Sequence, residues 1–133
     1  MKILLDTNVV ASAAVARGLC ADVLREVLAE HELVICPQIL AELRRVLRTK
    51  FRMPDRLIEG FVELLRQDTI CVQPAELRGI KLKDKDDLGI LAAAESGGAS
   101  VIVTGDKELQ SLGQFSSVRI LSPRQFWDEL TTR

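Results

Sequence analysis

The chain opens with the stretch MKILLDTNVV (residues 1–10), in which a short apolar run stops at an acidic residue. The run from Lys2 to Leu5 is typical of a buried strand, because it is short, aliphatic and followed at once by a polar break. From Val9 onward the apolar residues recur at helical spacing instead. A strand, an acid and a helix in this order predict the first unit of a parallel α/β sheet, with Asp6 at the carboxyl end of its strand.

Strands and helices continue to alternate along the rest of the chain. Further strands are predicted at Leu33–Cys36, Thr69–Val72, Ser100–Thr104 and Val118–Leu121. The predicted helices are Val9–Val15, Leu19–Leu33, Pro37–Lys50, Pro54–Gln67, Asp86 to Gly97, Asp106–Leu112 and one that Ser122 and Pro123 begin. The expected fold is a single α/β domain over residues 1–133, with a central parallel sheet of about five strands and helices on both faces. A chain of 133 residues leaves no room for a second core.

The predicted helix Pro54–Gln67 has an apolar stripe that we expect to face the core. Its members recur at helical spacing, and we expect all of them to be buried: Leu57, Ile58, Phe61, Leu64 and Leu65.

The amino-acid composition excludes several kinds of catalytic site. His31 is the only histidine, so a site built on several histidines is excluded. Cys20, Cys36 and Cys71 are odd in number and widely spaced, which favours buried free thiols over a disulfide framework. No apolar run approaches the roughly 20 residues that a membrane helix needs, so we expect a cytoplasmic protein. A net charge of −1 gives no global basic field for nucleic acid. The remaining candidates for catalysis are carboxylates.

Acidic residues follow strands or begin helices at three places. Asp6 ends the first strand, Asp106 follows the fourth through Thr104 and Gly105, and Asp86 with Asp87 begins a helix after the polar loop Gln73–Lys85. In open parallel sheets, ligands bind beyond the carboxyl ends of the strands. The topology therefore predicts that these acids converge.

Glu42 lies in the predicted helix Pro37–Lys50, roughly 100° from the centre of the apolar face of that helix. A carboxylate at the border of that face can reach the same crevice from one side. Clustered carboxylates repel one another unless a cation neutralises them, and oxygen ligands alone suit Mg²⁺ or Mn²⁺. An ordinary structural role remains open for each acid: Asp6 as a helix N-cap, Asp87 and Asp106 as first-turn acids, and Glu42 as the partner of Arg45.

Four segments, in order, are similar to the acidic motifs of the PIN-domain family. They lie within Lys2–Pro123: Leu5–Val9, Leu40–Leu43, Asp84–Asp87 followed by Ile90–Ala94, and Val103–Leu109. The chain resembles in particular the VapC-like toxin branch of toxin-antitoxin systems.

This resemblance implies a hydrolase, a metal-dependent endoribonuclease that cleaves single-stranded RNA with Mg²⁺ or Mn²⁺. The metal-binding and catalytic quartet would be Asp6, Glu42, Asp87 and Asp106, and Thr104 would support the fourth acid. One or two ions would activate water and stabilise charge on the phosphate. The resemblance also implies a homodimer and a cognate antitoxin.

Several other residues are candidates for supporting roles. Asp86 is the alternative third ligand or caps its helix, Asn8 shapes the turn after the first strand, and Ser12 is a candidate site hydroxyl. Lysines flank the third and fourth acids and either contact RNA phosphates or are simply solvated: Lys81, Lys83, Lys85 and Lys107.

Three other functions compete with the nuclease. A haloacid-dehalogenase-like phosphatase needs a second Asp two residues after Asp6, where this chain has Asn8. A response-regulator receiver has its acidic pair near the first strand, whereas the doublet here follows a late loop. A PIN-like fold that serves only as a non-catalytic binding module remains open.

Overall fold

The computed structural model describes residues 1–67, 69–71 and 85–132, and the side chains of residues 70, 71 and 85–87 lie outside that description. The strands are β1 (Lys2–Leu5), β2 (Glu32–Ile35), β3 (Thr69–Cys71), β4 (Val101–Val103), β5 (Gln114–Phe115) and β6 (Val118–Leu121). The helices are α1 (Thr7–Val15), α2 (Leu19–Glu30), α3 (Pro37–Thr49), α4 (Asp55–Gln67), α5 (Lys85–Ser96), α6 (Lys107–Leu112) and α7 (Pro123–Thr131).

The strands form one sheet in the order β3-β2-β1-β4-β6-β5. All neighbouring pairs are parallel except β5 with β6. The predicted parallel sheet of about five strands is therefore confirmed. Strand β5 was not predicted, because a strand of two residues is too short to show a period-two pattern.

Helices cover both faces of the sheet, as predicted. Successive strand residues point to opposite faces, so Ile3 and Leu5 pack in one core while Leu4 packs in the other. The first core contains residues of α1, α2, α3, α4 and α7, and the second contains residues of α5 and α6 together with Ile39 of α3. The central strand β1 is buried between the two layers, which places Asp6 inside the protein rather than at an edge.

Helix α4 corrects one expectation. Ile58, Val62 and Leu65 are buried and Phe61 is partly buried, but Leu57 and Leu64 are 52% and 55% exposed. Each exposed leucine directly precedes a buried residue, and one residue corresponds to about 100° around a helix. The stripe that contacts the core is therefore narrower than the apolar stripe of the sequence.

The cysteines for which the structure gives side chains are free thiols. Cys36 is buried and Cys20 is partly buried. Burial raises the pKa of the Cys20 thiol above its ordinary value. The side chain of Cys71 lies outside the described part.

In the described part of the chain, no single helix is long and apolar enough to cross a membrane. Helices α1 and α2 reach that length and composition only as a pair, and the pair is bent by 104° at the break between them.

Candidate active site

The candidate site lies at the carboxyl ends of β1 and β4, the two neighbouring strands at which the strand order reverses. From β1 the sheet extends through β2 and β3 on one side, and through β4 and β6 on the other. Adjacent parallel strands whose connections leave in opposite directions open a crevice at their carboxyl ends. Asp6 follows β1 and Thr104 follows β4, and the Asp6 amide donates to the carbonyl of Val103 at 3.0 Å. The first and fourth motifs therefore meet at this crevice.

Asp6 is 7% exposed, and its carboxylate accepts hydrogen bonds from two residues. Its Oδ1 accepts the amide of Thr7 at 2.7 Å, so Asp6 is the N-cap of α1. Its Oδ2 accepts the hydroxyl of Thr104 at 2.7 Å. These two hydrogen bonds orient the carboxylate.

Thr104 is completely buried and links the first acid to the fourth. While its hydroxyl donates to Asp6, the same oxygen accepts the amide of Asp106 at 3.0 Å. Its carbonyl accepts the side-chain amide of Gln110 at 2.7 Å. The resemblance predicted that Thr104 supports the fourth acid. The structure adds the contact with Asp6 and the role of Gln110, neither of which a local sequence pattern signals.

Asp106 is the N-cap of α6. Its Oδ1 accepts the amides of Glu108 and Leu109 at 2.8 and 3.2 Å. From the described residues, no hydrogen-bond donor reaches its Oδ2. One oxygen therefore fixes the helix start and leaves the other available to a cation.

Glu42 lies on α3 with 25% of its side chain exposed, and its Oε1 is 3.7 Å from Nη2 of Arg45. The ordinary structural role considered for Glu42, a partner of Arg45, is thus observed as a contact. One turn earlier on the same face, Gln38 lies against α5: a Cβ at Gly89 would be 2.4 Å from its Oε1. This face of α3 therefore approaches the first turns of α5. Gln38 was not among the candidate site residues predicted from the sequence. It lies four residues before Glu42 and therefore on the same side of the helix, which could have identified it.

Asp86 and Asp87 are the second and third residues of α5, so both lie in its first turn. The side chains of Lys85, Asp86 and Asp87 lie outside the described part of the structure. Residues 81–84, which include Lys81 and Lys83, lie outside it entirely. Within residues 1–67, 69–71 and 85–132, no three acidic, histidine or cysteine side chains are grouped closely enough to hold a metal ion. The structure brings Asp6 and Asp106 together through Thr104, and it does not place the carboxyl group of Asp87.

The remaining candidates lie around this centre. Asn8 is exposed in the first turn of α1, and Lys107 is exposed directly after Asp106. Ser12 is partly buried and lines a pocket of about 190 Å³ at the break between α1 and α2.

The donor atoms fit a hard divalent cation. Asp6 is held at the buried end of the crevice, Asp106 has an available oxygen, and all candidate ligands are carboxylates. Mg²⁺ and Mn²⁺ prefer such ligands, whereas a thiolate or imidazole set would favour zinc.

Comparisons with known proteins identify the family and the fold of this chain. A family model described as PIN domain matches residues 2–108. A VapBC2 structure from Rickettsia felis, bound to a DNA fragment from the promoter, superposes with a TM-score of 0.64 and 16% identity, covering 90% of this chain and 97% of that one. A VapBC-1 structure from nontypeable Haemophilus influenzae superposes with a TM-score of 0.61 and 21% identity, covering 93% and 99%. No curated protein matches the chain.

The solved structures show that the fold is shared over nearly the whole length of both chains. The family model spans most of the sequence, from β1 to the start of α6, and includes the four acidic positions Asp6, Glu42, Asp87 and Asp106. The chain belongs to the PIN-domain family.

Proposed function

We propose that this protein is a metal-dependent endoribonuclease that cleaves single-stranded RNA with Mg²⁺ or Mn²⁺. The observation that supports the proposal most is the buried Asp6 carboxylate, hydrogen-bonded to Thr104 at the point where the sheet connections diverge. Capping α1 requires only the contact with Thr7, whereas the link through Thr104 to Asp106 fits a shared ligand.

Asp6, Glu42, Asp87 and Asp106 would hold the ion in this proposal. The bound metal would supply an activated water and stabilise charge on the phosphate. Thr7 and Thr104 orient the Asp6 carboxylate, and the α6 amides orient that of Asp106 so that its second oxygen is available. We expect products with a 5′-phosphate and a 3′-hydroxyl.

Positive charge must accompany such a site, since RNA approaches as a polyanion. Lys107 is exposed beside Asp106 and is proposed to contact phosphate, together with Lys83 and Lys85. Phosphate contacts of this kind position the strand without reading its sequence.

We further propose that the protein is the toxin of a toxin-antitoxin pair in the cytoplasm, that it forms a homodimer, and that a cognate antitoxin binds it. The support for an antitoxin is that the two solved structures described above, which share this fold, are VapBC structures. The homodimer is what the resemblance to the family implies.

A non-catalytic PIN-like binding module is the second candidate. It is favoured by the structural roles that the acids have: Asp6 and Asp106 are both N-caps, and Glu42 contacts Arg45. The phosphatase alternative has lost its support, because the matched family is a different one and because the exposed residue at position 8 is an asparagine.

Removal of divalent metal is expected to stop RNA cleavage. The purified protein should cut a labelled single-stranded RNA with Mg²⁺ or Mn²⁺, stop when EDTA is in excess and recover when metal is restored. The same RNA annealed to its complement is the matched substrate control. Gel analysis of the product ends tests the chemistry. Cleavage that persists in EDTA would contradict the metal mechanism, and no cleavage with either ion on a range of RNAs would favour the binding module.

The third ligand is expected to be Asp87 rather than Asp86. The family pattern places its acid three residues before Ile90, and both residues lie in the first turn of α5. Separate Asn substitutions, compared by cleavage rate and by metal titration, should show a large loss for Asp87→Asn and a smaller one for Asp86→Asn. If only Asp86→Asn lost activity, the assignment would be reversed.

A further inference from the structure

The carboxyl end of α3 carries three exposed side chains, which we call the α3-end patch: Lys50, Phe51 and Arg52. Phe51 is 37% exposed, whereas the other four aromatic side chains of the protein are partly or fully buried. The ammonium group of Lys50 lies 5.6 Å from the centre of the Phe51 ring. The patch therefore places an accessible aromatic ring directly beside positive charge.

The backbone of the patch is fixed, and it is strained at one residue. The amides of Lys50 and Met53 donate to carbonyls of α3 at 2.9 Å, and Met53 packs against the first core. Arg52 has a φ of +52°, in the left-handed region where the end of a helix usually has glycine. Strained backbone of this kind occurs preferentially at functional sites. An arginine at this position therefore points to a role for its side chain.

Positive charge is concentrated around the patch, although the whole chain has a net charge of −1. Six of the 18 lysine and arginine residues lie within residues 44–56, together with a single acid. Three of the six are in ion pairs within the chain: Arg44, Arg45 and Arg48. Among the described residues, the structure records no ion pair for the other three: Lys50, Arg52 and Arg56. The charge of the patch is therefore available to an anionic partner.

Helix α3 connects the patch to the candidate active site. It begins at Pro37, directly after the carboxyl end of β2, and ends at Thr49. Arg45 is 64% exposed and 3.7 Å from Glu42, so the outer side of the helix is also basic between the site and the patch. At about 1.5 Å per residue, Phe51 lies about 13 Å beyond Glu42 along the helix axis. Roughly four nucleotides cover this distance at the stacked-base spacing of about 3.4 Å.

We propose that the α3-end patch is a second contact site for single-stranded RNA, in which one base stacks on Phe51 while Lys50 and Arg52 hold neighbouring phosphates. Proteins that bind single strands combine aromatic rings and cations in this way. An acidic protein would use the cations but not the ring, and a duplex keeps its bases stacked on one another. The proposal rests on the RNA substrate of the proposed function and is independent of its metal. The site should accept any base, since every base has a face that stacks.

The first test measures the role of the ring by fluorescence anisotropy of a labelled uridine dodecamer. The protein is kept in EDTA, so metal-dependent cleavage does not interfere. Phe51→Ala should weaken binding about tenfold, because base stacking on an aromatic ring is lost. Phe51→Leu keeps an apolar side chain and should weaken binding to a similar extent, whereas Phe51→Trp should bind at least as tightly as wild type. None of these variants should change the affinity for an RNA duplex.

The second test measures the role of Arg52. Arg52→Gly removes the charge while glycine adopts the left-handed backbone without strain, so the melting temperature should be unchanged or higher. The affinity for the dodecamer should nevertheless fall, and the slope of its logarithm against that of salt concentration should become smaller by about 0.7. Arg25→Gln, at an exposed arginine on α2, is the control and should leave the affinity and the slope unchanged.

Each contrary result has a distinct meaning. Wild type that binds no RNA overturns both the RNA substrate and the patch. RNA binding that no patch variant weakens overturns the patch alone. If Phe51→Leu binds as tightly as wild type, the ring does not stack on a base and the proposal is wrong. If a glutamate dodecamer binds as tightly as RNA and the Arg52→Gly variant weakens both equally, the patch belongs to an acidic protein instead. Cleavage enters none of these outcomes, so a failure of the nuclease proposal remains separate.

Discussion

Asp6→Asn is expected to lower the rate of RNA cleavage by more than about a hundredfold, since outer partners of metal ligands alone are worth about 10–100-fold. The substitution removes one negative charge from Asp6, the most buried of the three candidate ligands whose side chains the structure describes, while nearly preserving the shape of the side chain. An amide also has one oxygen for two donors, Thr7 and Thr104, which is expected to cost about 1 kcal/mol of stability. The measurements are initial cleavage rates at saturating Mg²⁺ and the rise in melting temperature that metal produces, which the variant should largely lose.

Asp22→Asn is the matched control for this change. Asp22 also lies at the start of a helix, in the first turn of α2, and its partner is Arg25 at 3.4 Å, away from the candidate site. We expect the control to retain both the cleavage rate and the response to metal. A folded Asp6→Asn protein that cleaves RNA as fast as wild type would show that Asp6 is an N-cap and nothing more.

Thr104→Val is expected to damage stability and activity together. The change preserves volume but removes the hydroxyl, so the buried Asp6 carboxylate loses a donor and the Asp106 amide loses its acceptor. Losing a hydrogen bond to a charged group and leaving a partly buried amide without its acceptor should cost about 3 kcal/mol in all. For a chain of this length, that corresponds to a melting temperature lower by roughly 10 °C.

Thr104→Ser tests the contribution of the hydroxyl separately from that of the methyl group. Serine keeps both hydrogen bonds, so we expect it to retain most of the activity and to lose only about 1 kcal/mol for the buried methyl. The comparison uses calorimetric melting and cleavage assays at several metal concentrations. Because Thr104 acts through Asp6, Thr104→Val should need more metal for half-maximal activity. Equal behaviour of the Val and Ser variants would contradict a role for the hydroxyl.

Local patterns predicted most of the fold. The strand at Lys2–Leu5 and the last strand, Val118–Leu121, were placed at their observed bounds, because a short aliphatic run bounded by polar residues has few alternatives. The cap of α7 was also predicted: Ser122 and Pro123 take the expected positions, and the structure adds the side chain of Gln125 as the second half of a capping box. Such features depend on residues within one turn of each other.

Other features depend on contacts that no local window contains. The hydrogen bond from Thr104 to Asp6 joins residues 98 apart in the chain, and it exists because β4 happens to pair with β1. The exposure of Leu57 and Leu64 likewise follows from how α4 is rotated against its neighbours, which apolar spacing alone leaves undetermined. The topology predicted that Asp6 and Asp106 converge, but not which hydroxyl would join them.

The place of β1 in the middle of the sheet has a consequence for the timing of synthesis. Its neighbours are β2, which is translated soon after β1, and β4, which is translated about 100 residues after β1. Domains fold as units while the ribosome adds about 5–20 residues per second. A nascent chain that ends before Thr104 holds the Asp6 carboxylate without its second hydrogen bond and without the fourth acid. The proposed site is therefore incomplete in the growing polypeptide until Thr104 and Asp106 have been translated.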